Sequence, residues 1–434
     1  MSERVLRVGM LGCGTVGAAV VRLLESHRDD IERRAGCRLE VRKVAVRDPA
    51  RARDVPLPSS AFVDDPLAVV EDPDVDIVCE LIGGLEPAGA LVLAPFDRDK
   101  PVVTANKELL ATRGRELFDA SDAKGLDLYF EAAVGGGIPL IRPLKESLAG
   151  ERLRRVMGIV NGTTNFILTK MSEEGRGFAD VLADAKRLGY AEADPSADVD
   201  GHDAAAKCAI LASIAFNARV VASDVFREGI AGVTTEDIEF ARRLGYVVKL
   251  LAIAEMGGRD EGDERIAVRV HPAMIPAAHP LASVRDAYNA VFVEGPNVGE
   301  LMFYGRGAGG DATATAVVGD LVSVARNLLA GARGVGCTCF HERTIRPMEE
   351  MTGQYYILLR VEDRPGVLAE IASVFGASDV SIKSVWQEGS GDDAQLVFIT
   401  HRAREGPFQE AVTALRGLSA VEEVRSVLRV EAEE

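Results

Sequence analysis

Five carboxylates and one lysine crowd the stretch Leu188-Gly-Tyr-Ala-Glu-Ala-Asp-Pro-Ser-Ala-Asp-Val-Asp-Gly-His-Asp-Ala-Ala-Ala-Lys207: Glu192, Asp194, Asp198, Asp200, Asp203 and Lys207. From Asp203 onward the Ala- and Leu-rich run reads as a helix, with acids at its start where they cap free amides and meet the positive end of the macrodipole. Lys207 follows one turn later. The helix dipole disfavours its charge there and nearby carboxylates restore it, and opposed effects of this kind tune a proton donor. The plain alternative is an i,i+4 ion pair contributing about 0.2–0.5 kcal/mol on a solvated face, with Asp200 or Asp203 as a cap.

A second set of residues needs no charge. Gly12-Cys-Gly14-Thr-Val-Gly17 follows the strand pattern 4–11 and opens an amphipathic helix at 18–25. In that setting glycines let the backbone approach a pyrophosphate, whose charge meets the helix N-terminus. Gly12, Gly14, Thr15, Val16 and Gly17 are therefore candidate cofactor contacts. At the end of the next strand, 39–46, Arg47 and Asp48 send opposite messages: an arginine suits a 2′-phosphate and an acid suits a free ribose hydroxyl. Both NADP and NAD stay open, with Lys43 and Arg47 tilting the balance to NADP.

The elements that must position these residues follow a clear order. Further strands at 75–82 and 101–104, the latter ending in Ala105-Asn106-Lys107, alternate with helices, which implies an α/β fold with a doubly wound parallel sheet of Rossmann type over residues 1–130. Lys107 at a strand's C-terminal end lies where such sheets bind ligands. From Asp127 the pattern changes to glycine turns, then helices near 178–188, 203–217 and 235–243 and strands near 266–271 and 289–294. This reads as a second, mixed α/β domain over 131–309. Residues 310–335 return to a small-residue helix suited to packing on the first domain. A charged linker at 336–353 leads to a βαββαβ unit at 354–434, with strands at 355–361, 380–387, 395–400 and 421–430, helices at 367–375 and 407–416, and a turn at Gly389–Asp393.

Composition narrows the partners. The chain has 434 residues, 47% of them hydrophobic, and a formal charge of −17, which repels nucleic acid and anionic membranes and leaves small molecules. No apolar run reaches the roughly 18–20 residues of a membrane span. Arg7 interrupts any signal core, so a cytoplasmic protein is expected. The cysteines at 13, 37, 79, 208, 337 and 339 are scattered as reduced thiols are. Cys337-Thr-Cys339-Phe-His341 would put three ligands on one strand face, but no second ligand pair follows at zinc spacing.

With these pieces in view, the chain resembles the homoserine dehydrogenase family along most of its length. The resemblance is carried by Gly12–Gly17, Val103-Thr-Ala-Asn-Lys107, Glu131-Ala-Ala-Val-Gly-Gly-Gly-Ile-Pro139, Asn161-Gly-Thr-Thr-Asn-Phe-Ile-Leu168, Gly189-Tyr-Ala-Glu-Ala-Asp194, Asp198-Val-Asp-Gly-His-Asp203 with Lys207, and Phe303-Tyr-Gly-Arg-Gly-Ala-Gly309. It implies reversible interconversion of L-homoserine and L-aspartate 4-semialdehyde with NADP or NAD, in threonine, methionine and isoleucine biosynthesis. By motif match, Lys207 is the proton donor in reduction and Lys107 a second proton-handling or orienting group. Glu192 would bind the substrate ammonium, and Asp198 and Asp203 would hold the substrate and orient Lys207, with a cap as the competing role for Asp203. Gly83, Thr104 and Gly309 fall at cofactor contacts.

The resemblance also implies a monovalent cation, usually sodium, on mainly backbone carbonyls of Glu131, Val134, Gly136 and Ile138, where chemistry alone reads a glycine-rich hinge. The C-terminal unit resembles an ACT domain through Val361-Glu-Asp-Arg-Pro-Gly-Val-Leu-Ala-Glu-Ile-Ala-Ser-Val-Phe375. Its Asp363–Gly366 turn offers free amides to a carboxylate, and threonine is the implied effector, with a purely assembling role as the alternative. A homodimer or homotetramer is expected, and a chain ended near residue 350 is expected to keep turnover without the threonine response. Competing functions are a related dehydrogenase for another small amino acid or semialdehyde, and a silent sensor of nucleotide and amino acid.

Overall fold

In the computed structural model, which describes residues 4–257, 263–391 and 394–432, the alternating apolar runs at the N-terminus become a parallel sheet. Strands β1 (Val5–Leu11), β2 (Arg38–Ala45), β3 (Phe62–Val63), β4 (Ile77–Glu80), β5 (Val102–Thr104) and β6 (Leu128–Tyr129) stand in the order β3-β2-β1-β4-β5-β6. This is the strand order of doubly wound dinucleotide-binding sheets, and the α/β expectation holds. β1 pairs in parallel with β2 on one side and β4 on the other, and all four residues of β4 are buried, as a strand covered on both faces must be.

Helices α1 (Thr15–Ser26), α2 (Lys107–Lys124), α3 (His202–Ala215) and α4 (Gly310–Ala330) carry chemistry or cover the sheet. Val20 and Leu24 of α1 and Val317, Leu321 and Val324 of α4 share one core with Val8, Met10, Ile77 and Val103 of the strands. The late helix α4 thus closes a core begun near residue 8.

Two compact units result, and neither follows chain order. The first gathers residues 1–156, 206–224 and 289–343; the second gathers 157–205, 225–288 and 344–434. In the second, β7 (Tyr246–Met256) and β8 (Ile266–Pro276) form a long antiparallel pair from Tyr246↔Pro276 to Met256↔Ile266. The C-terminal segment supplies β9 (Thr352–Val361), helix α5 (Val367–Ala377), β10 (Ile382–Glu388), β11 (Gln395–Thr400), helix α6 (Glu405–Arg416) and β12 (Val421–Val430), the expected βαββαβ order. Residues Asp392 and Asp393 of the expected turn lie outside the described residues. Ile357, Leu359, Ile371, Phe375, Phe398, Phe408 and Leu415 form its core, with Tyr355 stacked on Phe408 at 3.7 Å between ring centroids.

This unit does not hang from a free linker. Within the second compact unit the strand order is β7-β8-β12-β9-β11-β10, with β12 parallel to β8 at Ala273↔Arg429 and Met274↔Val430. The Glu431 amide donates to the Met274 carbonyl at 2.9 Å. Buried Arg269 bridges Glu255 at 3.0 Å and Glu431 at 3.1 Å, and Arg429 pairs with Glu228 at 2.7 Å and Glu405 at 2.6 Å. His271 is fully buried beside them, and that burial pushes its pKa down to about 3, so it stays neutral. In the connecting segment Arg346 reaches Asp263 at 2.5 Å and Glu350 reaches Arg265 at 2.6 Å.

Candidate active site

The glycine turn is built as its sequence requires. Gly12 has φ 103°, and a Cβ there would stand 2.8 Å from the Leu81 carbonyl; a Cβ on Gly17 would stand 2.6 Å from the Gly12 carbonyl oxygen. Only glycine fits either position. Gly14 caps α1 and has open space around its Cα, and Thr15 and Val16 begin the helix, whose first amides are free for an anion. Gly310 packs against Thr15, with its notional Cβ 2.9 Å from Thr15 Cγ2, so Gly309, at φ 122°, lies beside the same turn.

Beyond the end of β2, Arg47 is exposed, whereas Asp48 turns its carboxylate to the Ala50 and Arg51 amides at 3.0 and 3.2 Å. Lys43 does not add to a free positive patch. Its ammonium is paired with Asp72 at 2.5 Å and donates to the Ala68 carbonyl, because β2 faces the 66–72 segment there.

Glu80, at the tip of β4, organises the neighbouring loops. Fully buried, it accepts the Ile82 amide at 2.7 Å and the Gly83 amide at 2.9 Å on one oxygen, and the Thr104 hydroxyl at 2.6 Å on the other. Thr104 Oγ1 in turn accepts the Asn106 amide at 3.0 Å, and Asn106 caps α2 by accepting the Leu109 amide at 3.1 Å. Thr104 is therefore buried behind the loop, while Gly83, at φ 80°, lies in it with open space around its Cα. Lys107 is the first residue of α2 and half-buried. Glu80 carried no signal in the sequence because its side-chain partner, Thr104, is 24 residues away.

The glycine-rich segment after β6 folds tightly. Glu131, buried, spends its carboxylate on the Leu140, Ile141 and Arg142 amides at 2.5, 2.8 and 2.9 Å. Gly136, at φ 56°, abuts the Gly307 carbonyl. Asp320 of α4 accepts the Glu131 amide at 2.8 Å and pairs with Arg142 at 3.1 Å; burial, reinforced by the nearby Glu131 carboxylate, lifts its pKa to about 7 against the pull of Arg142. Among the described residues no cluster of three or more His, Cys, Asp or Glu is arranged to hold a metal ion. A cation at Glu131, Val134, Gly136 and Ile138 would thus rest on neutral backbone oxygens, a donor set that suits a singly charged hard ion.

The acidic segment divides by role. Asn161 caps the helix Gly162–Glu174 by accepting the Thr164 amide at 2.9 Å, and its amide nitrogen donates to Asp198 at 2.6 Å and to Asp203 at 2.9 Å. One side chain thus holds both aspartates. Asp194 instead accepts the Ser196 amide at 3.1 Å, and Asp200 ends the short helix Ser196–Val199. Glu192 is exposed. Asp203 and Lys207 lie one turn apart on α3, and Lys207 is 9% exposed. Residues 337–341 form no strand; His341 makes an isolated bridge to Ala218, so the three-ligand strand face is not realised.

Comparison with known proteins agrees with this layout. The homoserine dehydrogenase NAD-binding domain profile matches residues 12–131, the homoserine dehydrogenase profile 139–322 and the ACT domain profile 355–420. The homoserine dehydrogenase of Corynebacterium glutamicum is 49% identical over 98% of this chain and 95% of its own. A crystal structure of a homoserine dehydrogenase from Thiobacillus denitrificans superposes with TM-score 0.92 at 41% identity, over 99% of each chain. A hyperthermophilic archaeal homoserine dehydrogenase in complex with NADPH superposes with TM-score 0.64 at 27% identity, over 77% of this chain and 99% of its own. Matched end to end by such relatives, the chain belongs to the homoserine dehydrogenase family and is an NAD(P)-binding oxidoreductase with a C-terminal ACT domain.

Proposed function

We propose that the chain interconverts L-homoserine and L-aspartate 4-semialdehyde in the biosynthesis of threonine, methionine and isoleucine, in the cytoplasm and as a homodimer or homotetramer, with Lys207 moving the proton. The observation that carries this reading is Asn161 holding Asp198 and Asp203 together one turn ahead of Lys207. The paired carboxylates, with Glu192, suit a substrate that bears an ammonium group. NAD(P)H, bound at the Gly12–Gly17 turn, supplies the hydride. Lys207 then provides the proton to the developing alkoxide, a form of help that contributes about 10²–10⁴-fold. Lys107, which follows the Glu80–Thr104–Asn106 network in the chain, is the second cation in this reading and orients the substrate oxygen. Exposed Arg47 beside a self-capped Asp48 favours NADP over NAD, and the backbone oxygens of Glu131, Val134, Gly136 and Ile138 favour sodium.

The assay follows NAD(P)H absorbance with L-homoserine and each cofactor in turn. Lys207→Ala is expected to lower kcat at least about 10²-fold with little change in KM for the cofactor. Full activity in the variant removes the lysine from the mechanism, and no homoserine-dependent reduction in the parent removes the substrate. For the ACT unit, the Asp363–Gly366 turn, held by Arg364 to Glu362 and Glu370 and with Gly366 at φ 97°, is the threonine site. Gly366→Val should abolish inhibition by threonine in the same assay.

A further inference from the structure

Between residues of α2 and α3, in the first compact unit, an open cleft with a cavity volume of about 80 Å³ is lined by apolar side chains such as Phe118, Phe130, Ile210 and Ile214 and by Cys337-Thr-Cys339. The two cysteine side chains hydrogen-bond to each other, both are half-buried, and neither is disulfide-bonded. Arg219 points its guanidinium at the Cys337 sulfur, 3.9 Å away, while also holding Asp119 at 2.9 Å. Lys145 lines the same cleft, its ammonium donating to the Val335 carbonyl at 2.9 Å and lying 5.5 Å over the Phe130 ring. The acids around the thiol pair are engaged: Asp122 pairs with Arg333 at 3.2 Å and Asp119 with Arg219 at 2.9 Å.

We propose that Cys337 and Cys339 are a thiol–disulfide exchange site for an anionic low-molecular-weight disulfide, which converts them to an intramolecular disulfide. A thiol pair two residues apart, open to a cleft lined by the cations Arg115, Lys145 and Arg219 against the carboxylate of Asp119 that pairs with Arg115 and Arg219, can admit a carboxylate-bearing disulfide and has its resolving thiol already in place. The hydrogen bond between the two thiols and the Arg219 guanidinium, 3.9 Å from the Cys337 sulfur, both favour the Cys337 thiolate against its burial. The Cys339 thiol is pushed up by that same bond and by burial. Cys337 is therefore the attacking sulfur and Cys339 the second.

The exchange balances in two steps. The Cys337 thiolate attacks one sulfur of RS–SR, forming a Cys337–S–SR bond and expelling RS⁻. Cys339 then loses its proton and attacks Cys337 Sγ, breaking the mixed disulfide and expelling the second RS⁻. Two electrons and two protons pass from the cysteines to give two RSH. The other cysteines provide an internal contrast: Cys37, Cys79 and Cys208 are buried, and burial raises the Cys13, Cys37 and Cys79 thiols.

The test uses the full reduced chain and oxidised glutathione, followed by rapid alkylation and peptide mass analysis. The peptide holding both residues is expected to lose two hydrogen masses and to take no alkylating group, while the other cysteines remain thiols. Cys339→Ser should trap a glutathione adduct on Cys337, and Arg219→Gln should slow exchange about tenfold or more. Alkylation of Cys337 and Cys339 in full after the glutathione treatment overturns the proposal, as does adduct formation at Cys13 in preference to Cys337. The unsubstituted chain alone decides this, whatever the variants do to folding.

Discussion

At the scale of single residues, the site depends on side chains that hold other side chains in place. Asn161 spends its oxygen on a helix cap and its nitrogen on two carboxylates, so its loss takes one hydrogen bond from each of Asp198 and Asp203 and leaves their mutual repulsion less offset. Hydrogen bonds to charged groups contribute about 1.5–3 kcal/mol each. Asn161→Ala should therefore lower kcat/KM for homoserine about 10–10²-fold while leaving cofactor affinity unchanged, as separate titrations of the two ligands would show. An equal loss in both titrations would point to general unfolding. Neither Asn161 nor Glu80 could be given its role from the sequence. Beside their local caps, the side-chain partners that define those roles stand 37 and 42 residues away in one case and 24 in the other, and an amide or acid at a strand end has no pattern of its own. Gly12 and Gly17 were legible because their constraint is local: a tight turn between neighbouring elements.

Secondary-structure elements were legible where one face meets water. The helix at 235–243 and the strand at 421–430 match their expected bounds, since their polar and apolar positions alternate at the period of each structure. β7 was not foreseen. Its run Val248–Ala254 is buried throughout, so it shows no alternation, and Lys249 within it is sequestered by Asn165 and the Val284 carbonyl. The helix Gly162–Glu174 was missed for the same reason, with Thr163, Thr164, Asn165 and Thr169 buried on it. α4 shows what an element contributes away from its own sequence neighbours. Leu321, fully buried against β1 and α1, should cost about 2–5 kcal/mol on substitution by Ala, whereas exposed Leu328 should cost less than about 0.5, both read by urea unfolding. Equal small losses would mean that α4 is not part of the nucleotide-domain core.

At the scale of the whole molecule, the ACT unit is part of a shared sheet, which changes what truncation can teach. A chain ended near residue 350 loses β12, leaves β8 without its partner at Ala273 and Met274 and takes Glu431 from buried Arg269. An exposed edge invites association, and breaking a buried ion pair costs about 3–5 kcal/mol. The truncated chain should melt at lower temperature and aggregate on thermal unfolding, in contrast to the intact turnover expected from the sequence. A melting curve coincident with that of the full chain would show that β8 needs no cover. Point substitutions in the Asp363–Gly366 turn are thus the cleaner probe of threonine sensing.

The seam between β8 and β12 also sets an order of events at the ribosome. Arg269 and Glu431 are 162 residues apart, so β8 leaves the exit tunnel long before the strand that covers its edge has been made. The second unit cannot finish its sheet until β12 has been made, and closing so distant a pair is slow. A nascent chain stalled before β12 would present that bare edge to its neighbours on the same polysome.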